Sequence, residues 1–197
     1  EKVSPESFLS VARTKGCSTH HATTISPSFW NAMCEAANLK VTQQRIIRQY
    51  LTFHLGHAIT VDNVLHCNPI TIDDGPQIEY SCSGTPADCV KMAINEILNR
   101  KPDLCVSGIN HGANSSINVI YSGTMSAAVE AGIEGVPAIG FSLLDFNYHA
   151  DFNQAKEFIS RITLSALENG IPEATVLNVN IPKLKKEEIP QSDKNLI

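Results

Sequence analysis

Asp103-Leu104-Cys105-Val106-Ser107 runs directly into Gly108-Ile109-Asn110-His111-Gly112-Ala113-Asn114, together DLCVSGINHGAN. The first five residues form a short, nearly unbroken apolar run, the pattern of a strand buried on both faces of a parallel sheet. The seven that follow hold two glycines and two asparagines, a composition that ends a strand in a loop. Upstream, Thr85 offers a helix N-cap with Pro86 at the first helical position, where its missing N–H is no loss. The helix is expected to run through Asn99, with Val90, Ile94, Ile97 and Leu98 on one side, and Lys101-Pro102 to end it. Downstream, a loop over Gly108–Tyr121 leads to a small-residue helix from about Thr124 to Glu134. Val136–Ser142 (VPAIGFS) then reads as a second buried strand. Asp151 caps a helix striped by Phe152, Ala155, Phe158, Ile159, Ile162 and Leu167, Gly170 stops it, and Val176–Ile181 (VLNVNI) is a further strand. Strands and helices alternating at this spacing imply right-handed crossovers and a mostly parallel sheet with helices on both faces.

Before this region the pattern is shorter-ranged. Ala58–Val61 and Cys67–Ile72 read as short strands, Asp73-Asp74-Gly75-Pro76 as a turn, and Gln77–Cys82 as the returning strand of a β-hairpin. Val41–Phe53 (VTQQRIIRQYLTF) reads as a short helix with Ile46, Ile47, Tyr50 and Leu51 roughly on one side. The first 28 residues are rich in Ser and Thr, and their apolar residues follow no clear period. Such a start has the composition of an organellar transit peptide but little of its amphipathic pattern.

Composition narrows the class. Over 197 residues, 43% are hydrophobic and 18% charged, too apolar for a disordered chain and enough to bury one sizeable core. No uncharged apolar stretch reaches the roughly eighteen residues of a membrane span. Six Cys show no CxxC pair, so a disulfide scaffold or zinc finger is not expected, and reduced thiols in a cytoplasmic protein fit better. Cys82, Cys89 and Cys105 read as small buried hydrophobes rather than redox partners. The net charge of −5 argues against a nucleic-acid polymer as partner. That charge is uneven, +3 over residues 1–55 and −8 over residues 56–197, and no Asp occurs before Asp62.

In open α/β sheets ligands bind beyond the carboxyl ends of the strands, which singles out two loops. In Gly108–Asn114, glycine allows close backbone approach and asparagine supplies a neutral oxygen that suits Mg²⁺ or Mn²⁺ in a mixed shell with carboxylates. A turn-rich connection without a ligand explains the same composition. Tyr121-Ser122-Gly123-Thr124 opens a helix, where free N–H groups and the helix dipole favour a phosphate, while a plain N-cap explains it equally. The two loops together suggest metal-assisted phosphate-ester chemistry.

Gly84–Val90 (GTPADCV), Pro102–Asn110 (PDLCVSGIN), Gly112-Ala113-Asn114 and Tyr121-Ser122-Gly123-Thr124 resemble the SurE family of stationary-phase survival proteins, phosphatases of nucleoside monophosphates. Gly135–Ser142 (GVPAIGFS), Asp151-Phe152 and Leu177–Pro182 (LNVNIP) continue the resemblance in order, from about Gly56-His57-Ala58-Ile59-Thr60 to about Ile189. The resemblance implies a Rossmann-like α/β fold with a β-hairpin extension, assembled as a homodimer or tetramer and cytoplasmic. It implies hydrolysis of nucleoside 5′- and 3′-monophosphates with a divalent metal, Mg or Mn. The metal-binding asparagine of that family matches Asn110, its second loop asparagine, near the phosphate, matches Asn114, and its phosphate cradle matches Ser122, Gly123 and Thr124.

The chain also departs from the family. The aspartate pair that holds the metal there has no counterpart, since residues 1–61 contain no Asp, and the position of the family's metal-binding serine falls on Phe53. The catalytic residues are therefore unassigned. On this reading residues 1–55 are an atypical segment, 56–189 the SurE-like core and 190–197 an atypical tail. Asp73-Asp74-Gly75 repeats the lettering of the missing loop but reads better as an Asp-Gly hairpin turn. His111 reads as a solvent-facing loop histidine. An alternative to an active nucleotidase is an impaired family member that retains at most phosphate or nucleotide binding or oligomerisation. A further reading takes residues 1–55 as the product of a displaced reading frame, and expects the core to lack its central strand.

Overall fold

The computed structural model describes residues 7–13, 27–37, 43–49, 57–71, 77–147 and 150–183. The Asp73–Pro76 turn, Phe53 and the tail from Pro190 lie outside the described residues. Seven strands, β1 (Ser7–Arg13), β2 (Gln43–Gln49), β3 (Cys67–Ile70), β4 (Ile78–Cys82), β5 (Leu104–His111), β6 (Ala138–Leu143) and β7 (Leu177–Ile181), form one sheet in the order β3-β4-β2-β1-β5-β6-β7. All neighbours pair parallel except β3 and β4, which form the antiparallel hairpin. The helices are α1 (Pro27–Ala36), α2 (Pro86–Met92), α3 (Asn118–Tyr121), α4 (Gly123–Ile133) and α5 (Ala155–Asn169). The class is α/β, as the alternation of strand and helix implies.

Two cores explain why the central strands are apolar runs rather than alternating ones. Cys105 of β5 points into one core with Val90 and Ala93 from the α2 region and Met125, Ala128 and Ala131 from α4. Its neighbours Leu104 and Val106 point into the other, with Met33 of α1, Phe141 of β6 and Ala155 and Ile159 of α5. Each face of the strand is covered, so each position must be apolar. Pro69 sits in β3, the edge strand, where a missing ladder donor is tolerated.

Several elements differ from the sequence reading. Within the helix predicted over Val41–Phe53, the described residues Gln43–Gln49 are strand β2, paired on both sides, and seven residues with adjacent Ile46 and Ile47 suit a ladder better than a helix face. Ala58–Val61 is not a strand, because its polar backbone groups are taken by the start of α2. The Thr60 N–H and hydroxyl donate to the Asp88 carboxylate, and the Thr85 hydroxyl donates to the Ala58 carbonyl at 2.6 Å. The helix predicted through Asn99 ends as α2 at Met92 and widens into a π-helical turn over Ala93–Ile97. β5 reaches His111, four residues past the expected end of the strand at Ser107, and α3 interrupts the loop. The centre of the sheet, which a displaced reading frame would leave without a strand, is filled by β1 from the amino-terminal segment, with Leu9 fully buried. The ladder groups of β2 and β5 are thereby paired rather than orphaned.

Thr85 and Asp88 form a capping box: the Asp88 N–H donates to the Thr85 hydroxyl and the Thr85 N–H to the Asp88 carboxylate at 2.8 Å. Burial pushes the Asp88 carboxyl up, but the donors on Thr60 and Thr85 outweigh it and hold it below its ordinary value.

Two outcomes follow. Leu9→Ala leaves a cavity under the central strand and lowers stability by about 2–5 kcal/mol, read as a lower denaturant midpoint; an unchanged midpoint removes β1 from the core. Because the folded Asp88 binds its proton less tightly than the unfolded one, it contributes stability above the ordinary carboxylate range, and that contribution is lost as pH falls through its folded value. Asp88→Asn therefore flattens the acid limb of a stability-against-pH curve, and an unchanged limb refutes the assignment.

Candidate functional site

The winding of the sheet reverses between β1 and β5: β2 and β4 lie to one side, β6 and β7 to the other. Loops leaving such a switch point part from each other, opening a crevice at the strand carboxyl ends. Asn110 and His111 end β5 there, and Gly112–Asn114 follow.

Asn110 stands beside Ser142 of β6 in the register, just past an irregularity after Ser107. Gly108 makes that irregularity possible: its φ is +116°, and a Cβ there would lie 2.5 Å from the Phe141 carbonyl oxygen. Asn114, 2% exposed, accepts from Asn110 Nδ2 at 3.1 Å and donates its own amide to the Ser142 hydroxyl. Its backbone is tied as well, the N–H to Asn180 Oδ1 at 2.8 Å and the carbonyl to Asn178 Nδ2 at 2.6 Å. Asn180 Nδ2 donates to Asn178 Oδ1 at 3.1 Å. With Nδ2 of Asn110 committed to Asn114, its Oδ1 is the atom left to meet a ligand.

On the opposite side of this network lies the start of α4. Ser122 is its N-cap, and the hydroxyl accepts from the Met125 N–H at 3.2 Å. The first N–H groups of a helix have no acceptor within it, so the amides of Gly123 and Thr124 are open to an anion. Gly123 lies against Pro86, and Thr124 lies over Gly140, two residues before Ser142 on the same face of β6. Asn110, Asn114, Ser122, Gly123 and Thr124, scattered over fifteen positions in sequence, thus gather around the ends of β5 and β6.

His111 is not a solvent-facing loop residue. It ends a strand, half-buried, with its ring edge-on to Phe152 at a centroid distance of 4.7 Å. Its Nε2 is buried with no hydrogen-bond partner among the described residues. Asp145 closes this side, held below the ordinary carboxylate range by the Asn147 N–H at 2.9 Å and by Lys183 at 3.1 Å.

The described residues do not fit the divalent cation that the resemblance implies. Among them no group of three or more His, Cys, Asp or Glu side chains gathers, and residues 1–61 contain no Asp. Asn110 alone provides one neutral oxygen, which does not compensate a doubly charged ion for lost water.

Sequence reasoning missed Ser142, Asn178 and Asn180 as members of the site. The signal was present: Asn178 and Asn180 stand two apart in an otherwise apolar strand, on one face, in a residue type that strands disfavour.

The α/β fold thus sets a neutral amide cluster beside a helix N-terminus at the switch point of the sheet. The model of one family, "Survival protein SurE", matches residues 53–194, and the chain belongs to that family. The 5'-nucleotidase SurE of Flavobacterium johnsoniae is 69% identical over 135 residues, 68% of this chain and 52% of that protein. The protein of the same name from Bacteroides fragilis is 49% identical over 131 residues, 66% of this chain and 51% of that protein. The chain thus spans about half the length of the curated relatives it matches. The crystal structure of a SurE protein from Aquifex aeolicus matches with a TM-score of 0.70 at 36% identity, covering 92% of this chain and 68% of that one. The likeness in structure therefore reaches into residues before 53, where the family model stops matching.

Asn114→Ala leaves the Ser142 hydroxyl and the Asn110 amide without their partner, at roughly 1–3 kcal/mol for each group left unsatisfied. A drop of that size in unfolding free energy is expected; a change within error removes Asn114 as the tie between β5, β6 and β7.

Proposed function

We infer that this chain binds the phosphate group of nucleoside monophosphates at the crevice between β5, β6 and α4. The reaction that goes with this reading is phosphoric monoester hydrolysis at the 5′ and 3′ positions, as the names of the relatives suggest for the 5′ position. The observation that carries it is the convergence of Asn110 and the Asn114–Ser142 pair with the open amides of Gly123 and Thr124. Phosphate oxygens accept from the amides and from the Ser122 and Thr124 hydroxyls, and the dipole of α4 favours their charge. Asn110 orients the ester toward the loop, and His111 stands next to it in the chain. Assembly as a homodimer or tetramer, and a cytoplasmic setting, belong to the same reading. No described helix is long and apolar enough to cross a membrane.

A second reading, binding without turnover, is favoured by one observation: residues 1–61 contain no Asp, and among the described residues no group of three or more His, Cys, Asp or Glu side chains gathers. One experiment separates the two. The chain is given adenosine 5′-monophosphate with Mn²⁺ or Mg²⁺, and both nucleotide binding by calorimetry and released phosphate are followed. Binding with negligible phosphate release is expected, and Thr124→Ala weakens it about tenfold, the loss of one hydrogen bond to a charged group. Metal-dependent turnover overturns the second reading; absence of any binding overturns both.

A further inference from the structure

The register of the hairpin sets Cys67 of β3 directly opposite Cys82 of β4. One rung further, the Ser83 N–H donates to the His66 carbonyl at 2.9 Å and the His66 N–H to the Ser83 hydroxyl at 2.9 Å. That rung is the hydrogen-bonded one, so 67/82 is the non-hydrogen-bonded rung of the antiparallel ladder. There Cα atoms approach to about 4.5 Å and side chains come closest. The spacing falls inside the window of about 4.4–6.8 Å that a disulfide spans.

A third thiol joins them. Cys67 and Cys89 of α2 each donate an S–H to the sulfur of Cys82. Cys82 and Cys89 are fully buried in one core, and Cys67 packs against it, half-buried in the edge strand of the sheet. Access is thus divided: Cys67, on the same face of the hairpin as Cys82, is partly open at the sheet edge, and Cys82 lies fully buried beside it. We propose that Cys67 and Cys82 form a thiol pair that a hydroperoxide converts reversibly into a disulfide. This inference is independent of the proposed function.

The chemistry closes on these two residues and one peroxide. Burial and the neighbouring Cys82 push the Cys67 thiol up to about 11, so a small thiolate fraction carries the first step at neutral pH: it attacks a peroxide oxygen, the O–O bond breaks, the leaving hydroxide takes a proton from solvent as one water, and a sulfenic acid stays on Cys67. The Cys82 thiolate then attacks that sulfur. The S–S bond forms as the S–O bond breaks, and the departing hydroxide takes up the proton from Cys82 as a second water. The two thiols lose two electrons and two protons, and one hydrogen peroxide becomes two waters. The resolving step is helped by the neighbours of Cys82: the hydrogen bond from Cys89, with those from the Gly84 backbone and Cys67, brings its thiol down to about 7 against burial and the nearby Asp88. Cys105, fully buried with no thiol partner among the described residues, is pushed up to about 12 by burial and makes an internal contrast.

The full chain is treated with hydrogen peroxide at neutral pH, free thiols are alkylated, and the proteolytic peptides are mapped by mass. A peptide pair linked through Cys67 and Cys82, short by two hydrogen atoms and released by dithiothreitol, is the expected result, with Cys105 still alkylated. In Cys82→Ser, Cys67 accumulates as a sulfenic acid that dimedone traps, whereas Cys105→Ala bridges as the unchanged chain does. Sulfinic or sulfonic acid on Cys67 in the unaltered chain with Cys82 free, an unreacted Cys67, or a bridge between Cys82 and Cys89 instead overturns the proposal.

Discussion

A buried amide that must find four partners organises this molecule. Asn114 leaves the end of β5 and turns inward, where neither its side chain nor its backbone can reach water. Every group it carries is answered from a neighbouring strand end: Asn110 on β5, Ser142 on β6, and Asn178 and Asn180 on β7. The ladders pair β5 with β6 and β6 with β7 out to these ends, but Asn114 lies beyond the last rung and must be fixed against them by other bonds. The amide network does that, and in a surrounding of low dielectric an unanswered polar group is heavily penalised, which makes the arrangement stiff. The crevice beside α4 inherits its shape from this stiffness.

The same network explains how membership of the SurE family coexists with a departure from it. The proposed phosphate site rests on neutral donors and a helix N-terminus carried by residues 108–124, within the matched region. A divalent cation rests on gathered carboxylates, and the amino-terminal quarter contains no Asp. That quarter nonetheless builds β1, α1 and β2, and β1 takes the central place in the sheet. A ladder position is satisfied by any extended segment of suitable polarity, because its bonds are made by backbone. A metal site is satisfied only by particular side chains. Architecture therefore tolerates a change of sequence that chemistry does not, and the likeness to the Aquifex aeolicus structure extends further along the chain than the family model does.

From sequence alone, the alternation between Thr85 and Ile181 was legible because each element carries its own punctuation: Thr85 and Pro86 at the start of α2, Ser122 before α4, Asp151 before the helical turn that leads into α5, and Gly170, at a φ of +78°, after it. Apolar runs such as Leu104–Val106 and Ala138–Phe141 declare burial on both sides without reference to a partner. Asn110, Asn114 and Ser122–Thr124 stood out because asparagine, glycine and hydroxyl residues cluster where a strand should give way to a loop. What tertiary structure alone decided were outcomes of competition between distant segments. Gln43–Gln49 became a strand because two neighbours offered ladders, and Ala58–Val61 did not because Asp88 and Thr85 claimed its backbone. Asn178 and Asn180 joined the site only because β7 lies beside β6, and Cys67 met Cys82 only through the hairpin register. Local signals are written in neighbouring residues; pairing, register and convergence depend on which remote groups reach each other first in energy, and no window along the chain contains that comparison.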